Sequence, residues 1–386
     1  MKDLGTVPVM AFSAPNLAAF YPDGAWWIPC VMELSAGLLE IADSLGVDES
    51  FCPVRAMLGA FLTEAHFPIP DLLVCSAGAV CDDFSAIAQR LDGLGYPIFW
   101  WEIPARRPPE RGERSVALPG GLSAPASQVE FVRGELERVR RVLEDLSGEA
   151  LADAELAEGI RQANRVRRAL GALRGLVYGA DPCPLPALEM QIAEMLAIHF
   201  CSDRAEALNV LKGLLAETQN RRRRRWGTAA PGAARVYWLN PVADLRMMNA
   251  LEDCGARLSG AEYLFSHAID AIPEDLEPLE ALARTALADP MIGPAADRAK
   301  RIVAEMRRFG AEALIVSRIP GASHCATEGE AIRQIVDAEL GVPTLELETP
   351  VLMDSARSGL IDRMQALVET ILARRRAASE APHAQP

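Results

Sequence analysis

A duplicated pattern constrains this chain more than any other feature of its sequence. In the first copy, Asp71-Leu72-Leu73-Val74 leads through a loop of small residues to Cys81, a helical stretch, Gly95-Tyr96-Pro97, an apolar run and Glu102-Ile103-Pro104. In the second, Ala313-Leu314-Ile315-Val316 leads through Gly321-Ala322-Ser323-His324 to Cys325, a helical stretch, Gly341-Val342-Pro343, an apolar run and Glu348-Thr349-Pro350. Cysteine to glycine spans 14 residues in one copy and 16 in the other, and proline to glutamate spans five in both. Each copy predicts a strand, helix, strand unit. Such units pair their strands in parallel and bind ligands outside the carboxyl ends of those strands. Cys81 and Cys325 both fall at that place.

Around the two copies the pattern changes. Met32 to Leu45 is amphipathic, a short helix follows Pro53, and Ile98 to Trp101 reads as a buried strand. Arg106 to Ala126, rich in Pro, Gly and Arg, reads as a loop or linker. Ser127-Gln128-Val129-Glu130 fits a capping box opening a helix to about Leu146. Apolar residues then recur at helical spacing from Ala152 to Tyr178 and from Leu188 to Glu217. The arginine run Arg221 to Arg225 reads as a solvated hinge, with a docking patch for an acidic partner as the alternative. The α/β pattern resumes with Val236 to Leu239 as strand and Asp244 to Asp253 as helix. The expected class is α/β, with two parallel-sheet lobes of Rossmann or flavodoxin-like kind, 1–118 and 229–386, around a helical segment, 119–228.

A chain of 386 residues, half of them hydrophobic, can bury a sizeable core, which excludes disorder. Its formal charge of -14 argues against a general grip on nucleic acid or anionic membranes. No apolar run reaches the roughly 18 residues of a membrane span, and Met1 to Gly5 lacks a secretory pattern, so a cytoplasmic protein is expected. Eight cysteines in a reducing compartment then need a role other than disulfides.

The absence of any C-x-x-C pair leaves a zinc ribbon, a thioredoxin-like dithiol and a ferredoxin run unsupported. Cys52 precedes Pro53, a residue favoured at the first helical position, so it too opens a helix. Helix starts carry partial positive charge and favour the thiolate a metal requires. Cys52, Cys81 and Cys325, each at a helix start, can converge on one soft metal centre. Cys75, Cys183, Cys201 and Cys254 read as core residues, while Cys30, after Pro29, is an intermediate case that could add a ligand.

Cys52-Pro53-Val54-Arg55-Ala56-Met57-Leu58-Gly59, the Cys81-Asp82-Asp83 turn followed by the Tyr96-Pro97 strand, and Gly341-Val342-Pro343-Thr344-Leu345-Glu346-Leu347-Glu348 resemble the 2-hydroxyacyl-CoA dehydratase and benzoyl-CoA reductase family. The resemblance covers nearly the whole chain. It implies an iron-sulfur subunit holding a [4Fe-4S] cluster through Cys52, Cys81 and Cys325, with the fourth iron position open; Cys30 and Cys75 leave a larger double-cubane cluster open. It also implies an acyl-CoA substrate, a second copy or homologous subunit, and an ATP-hydrolysing activator that injects one low-potential electron. The chain itself contains neither G-x-x-x-x-G-K-[ST] nor G-x-G-x-x-G, in keeping with that division of labour.

In that family a ketyl radical forms at the thioester carbonyl and expels hydroxide, a route that acid-base groups alone, worth typically 10²- to 10⁴-fold, do not open. The leading expectation is thus a lyase, a 2-hydroxyacyl-CoA dehydratase. A benzoyl-CoA reductase-type subunit and a non-catalytic electron-relay subunit stand as alternatives. His324, adjoining Cys325, is a candidate proton donor or, equally, a hydrogen-bonding neighbour of the ligand. His199 and His267 read as structural.

Overall fold

The computed structural model describes the chain except residues 1–4, 23–31, 66–67, 80, 200–202, 241, 243, 264–265, 324–326, 352–353 and 381–386, and the side chains at 199 and 204. The first duplicated copy forms β1 (Leu73–Gly78), the helix Asp82–Gly93 and β2 (Ile98–Ile103). The two strands pair in parallel from Leu73 opposite Ile98 to Gly78 opposite Ile103. Their helix buries Phe84, Ile87, Ala88 and Leu91, the one-face spacing of an amphipathic helix.

A hairpin follows, β3 (Ser115–Leu118) antiparallel to β4 (Leu122–Pro125), inside the stretch whose composition predicts only a loop. The helix after it begins at Ala126, with Pro125 at its cap, so Ser127 lies within the first turn instead of capping it. Glu130, the other half of the expected box, pairs with Arg114 at 3.0 Å. The capping carboxylate of this region is Glu155, which accepts the Ala152 N–H at 2.9 Å.

The middle is helical, over Ala126–Ser147, Asp153–Tyr178, Ala187–His199 and Arg204–Arg223. Asp153–Tyr178 is bolted to the C-terminal part. Asn164 exchanges two hydrogen bonds with the Ile272 backbone, at 2.8 and 2.9 Å, and Arg167 donates to Asp270 O and Gly5 O. The arginine run is not a hinge at its start: Arg221–Arg223 complete the last helix, where cations complement the negative end of the dipole. Arg221 also lies over the Trp226 ring, 4.5 Å from its centroid.

The second copy belongs to a four-stranded parallel sheet of order β6-β5-β7-β8, comprising β5 (Ala234–Leu239), β6 (Ala256–Glu262), β7 (Ala313–Arg318) and β8 (Thr344–Glu348). Successive strand side chains point to opposite faces. Tyr237, Leu239, Leu314 and Val316 therefore pack on Ile302, Met306, Ile332 and Val336 of the helices Ala295–Phe309 and Gly329–Leu340. Val236, Trp238, Ala313 and Ile315 enter the main core. Burial on both faces explains why these strands read as unbroken apolar runs. The strand order is flavodoxin-like and reverses between β5 and β7, where such sheets open a crevice.

The copies differ in one respect. The helix starts at Asp82, shortly after Gly78, in the first, but only at Gly329 after Arg318 in the second. The loop at the carboxyl end of β7 is correspondingly longer. Among the described residues, no helix is long and apolar enough to cross a membrane.

Candidate functional site

Cys52 and Cys81 are each the residue before a helical turn, as their neighbours in sequence predict. Cys52 precedes the 3-10 turn Pro53–Arg55, which runs into the helix Ala56–Thr63, and its carbonyl accepts the Arg55 N–H at 3.0 Å. Cys81 caps Asp82–Gly93, and its carbonyl accepts from the Ser85 N–H and hydroxyl, at 3.2 and 3.3 Å. Both helical segments after Cys52 pack against Asp82–Gly93. The cysteines are 7% and 4% exposed, within the apolar core. At Gly59 a β-carbon would fall 2.5 Å from Leu38 O, so only glycine lets the helix behind Cys52 approach Ser35–Ser44 this closely.

A cation ends the turn opened by Cys52. Arg55 is buried; its Nη1 donates to Phe51 O at 3.2 Å, and its Nε lies 3.4 Å from the Asp43 carboxylate without forming a hydrogen bond. Soft sulfur donors, apolar walls and a buried guanidinium suit a thiolate-held iron-sulfur cluster, whose net negative charge a nearby cation offsets.

The long loop after β7 reaches both cysteine turns. Gly321, at φ +76°, lies against the backbone that enters Cys52: a β-carbon there would be 2.6 Å from the Phe51 carbonyl carbon and 2.9 Å from Ser50 O. Two residues on, Ser323 donates to Asp83 twice, from its backbone N–H to Oδ2 at 3.0 Å and from its hydroxyl to Oδ1 at 3.1 Å. Burial pushes the Asp83 carboxyl up, against the pull of the two Ser323 bonds. Cys325 and His324 lie outside the described residues, as do Cys30 and Cys201. Among the described residues, no three His, Cys, Asp or Glu side chains group as a metal centre.

A cleft of about 590 Å³ opens at the carboxyl ends of β7 and β8, lined by Arg318, Pro320, Thr327, Glu330, Glu346 and Glu348 among others. Its walls include residues on both sides of 324–326. Beside it, at the ends of β5 and β6, buried Arg298 donates to Glu262 at 2.9 and 2.6 Å, to Asn240 at 2.6 Å and to Glu328 at 3.1 Å. Asn240 holds a left-handed backbone, φ +72°, and donates to Ser317 O at 3.1 Å. Sequence reasoning missed this cluster. The Asn240-Pro241 step directly after an apolar strand is the one signal that could have marked it.

The remaining described cysteines lie in other elements. Cys75 lies inside β1, opposite Trp100, and is 1% exposed. Cys183 is buried in its Pro-rich loop with its sulfur 3.2 Å from Leu185 O, and Cys254 caps Met247–Asp253 with its sulfur 3.7 Å from Ile361 O. His267, in the turn Ser266–Ile269, is buried with Nδ1 3.6 Å from the Asp289 carboxylate.

Parallel sheets with loop-borne groups at their carboxyl ends, and buried thiols at two helix starts, place the chain in the α/β class. Residues 7–371 match the family model for 2-hydroxyglutaryl-CoA dehydratase, D-component, and the chain belongs to that family. It is a 2-hydroxyacyl-CoA dehydratase-type component. No curated protein matches it.

Proposed function

We propose that this chain is the iron-sulfur subunit of a 2-hydroxyacyl-CoA dehydratase, with Cys52, Cys81 and Cys325 holding a [4Fe-4S] cluster. The observation that carries the reading is the course of residues 319–323. One loop lies against the backbone entering Cys52 and is hydrogen-bonded to the helix turn opened by Cys81, two residues before Cys325. Such a cluster, when bound, supplies the one-electron chemistry that a dehydration at an unactivated 3-position requires.

The protein's own residues supply the rest. The apolar core around Cys52 and Cys81 excludes water, and Arg55 offsets negative charge. The cleft beside residues 319–322 has a volume suited to the acyl end of a thioester. His324 is the candidate for moving a proton. An ATP-hydrolysing activator and a homologous subunit or second copy complete the enzyme in this reading, in keeping with a sequence that carries neither G-x-x-x-x-G-K-[ST] nor G-x-G-x-x-G.

Anaerobic iron and sulfide quantification, with an EPR spectrum after reduction, tests the assignment. Each of Cys52→Ser, Cys81→Ser and Cys325→Ser is expected to deplete iron, while Cys75→Ser keeps it. Full iron in any of the first three removes that residue from the ligand set. Product analysis with a 2-hydroxyacyl-CoA and with benzoyl-CoA, in the presence of partner subunit and activator, separates a dehydratase from a ring reductase.

A further inference from the structure

We propose that Asp83 is a positioning residue: by holding Ser323, it latches the long loop after β7 onto the turn opened by Cys81, and so fixes residues 321–323 against both cysteine turns before any metal arrives. This deepens the cluster reading above and rests on it.

The geometry is specific. Asp83 is 4% exposed and sits in the first helical turn, two residues after Cys81. Each of its two oxygens receives a different donor of one residue, the N–H and the hydroxyl of Ser323, at 3.0 and 3.1 Å. A carboxylate gripping both donors of a single residue restrains that residue's position and orientation together. One of the two bonds goes to main chain, so the grip acts on the loop backbone itself.

The other side of the loop is fixed by contact. Gly321 has a left-handed φ of +76°, and no side chain fits between it and the Ser50-Phe51 backbone. Residues 321–323 are therefore clamped at two points, one on the approach to Cys52 and one just past Cys81. A charged residue after a helix-start cysteine has a common explanation, compensation of the helix dipole, and Asp82 suffices for that. Asp83 faces inward and bonds a residue 240 positions away in sequence.

Groups that orient metal ligands typically change affinity by about 10- to 100-fold when removed. The test uses full-length Asp83→Ala, Asp83→Asn and Gly321→Ala, each checked for wild-type far-UV circular dichroism. In metal-free protein, Asp83→Ala is expected to speed hydrogen exchange of the Ser323 amide about tenfold or more. In anaerobically reconstituted protein, it is expected to speed iron loss to a chelator about 10- to 100-fold, although every cysteine is present. Gly321→Ala should also speed iron loss, by displacing the other clamp point. Ser323→Ala, which keeps the main-chain donor, should show a smaller effect, and adding it to Asp83→Ala should add little. Unchanged exchange at Ser323 and unchanged iron loss in Asp83→Ala would overturn the latch. Wild-type protein that takes up no iron would instead overturn the cluster reading, and the exchange result separates the two failures.

Discussion

At the scale of single residues, environment decides what a side chain does. Glu252 lies on the helix Met247–Asp253 and accepts the Ala187 N–H at 3.0 Å, at the start of Ala187–His199. Burial pushes its carboxyl from the ordinary 4.5 up to about 7, with Glu189 and Asp253 adding repulsion and the Ala187 bond opposing. Between those two pH values the folded protein holds a proton that the unfolded chain has released, so the contribution of Glu252 to stability falls as pH rises through that window. Glu252→Gln keeps an acceptor for Ala187 and removes the buried charge. Its melting temperature should match wild type near pH 5 and exceed it near pH 8. A difference that stays constant across that range would show that Glu252 carries no raised pKa. Nothing in Leu251-Glu252-Asp253-Cys254 announces this, because the residue Glu252 bonds lies 65 positions earlier in the chain. Cys52 and Cys81 were legible for the opposite reason: their placement depends on the adjoining Pro53 and on the helix beginning at Asp82. Asp83 could be read only as an acid at a helix start, since Ser323 comes from the far end of the chain.

At the scale of elements, periodicity carried well and caps did not. Both copies of the duplicated unit appear as strand, helix and strand, because the apolar runs of β1 and β7 and the spacing of Phe84, Ile87 and Leu91 are local consequences of burial. The expected capping box at Ser127 failed because β4 runs directly into the helix through Pro125, leaving no break for a serine to fill. The hairpin was hidden because its strands have four residues each, too few to display alternation amid Pro, Gly and Arg. The difference is measurable. Ser127→Ala should change the urea midpoint little, within about 0.5 kcal/mol, as expected for a non-capping position. Glu277→Ala should cost about 1 kcal/mol, because that carboxylate accepts from Leu279 N at 3.1 Å and Glu280 N at 2.9 Å at the start of Pro278–Leu287. Equal effects of the two substitutions would contradict the cap assignment.

At the scale of the molecule, contacts between distant segments tie the fold to its site. One apolar core runs from Val9 to Ile371, and polar links cross it at intervals. Arg106, for example, donates twice, its N–H to Ile292 O and its Nη1 to Asp297, both at 2.8 Å. The proposed donors come from both ends of the chain, so metal binding must draw on the same contacts that hold the ends together. Binding to the folded form alone raises stability by mass action, and ligands absent from the unfolded chain make metal affinity a part of folding free energy. Anaerobic reconstitution should therefore raise the melting temperature of wild type by several degrees, on the order expected for a ligand present well above its dissociation constant. Cys81→Ser should lose the increment, and its metal-free form should melt near metal-free wild type. Asp83→Ala should lie between them, since its cysteines remain while residues 321–323 are no longer held to the Cys81 turn. If Cys81→Ser gains as much on reconstitution as wild type does, iron stabilises this protein from somewhere other than the junction of the two ends.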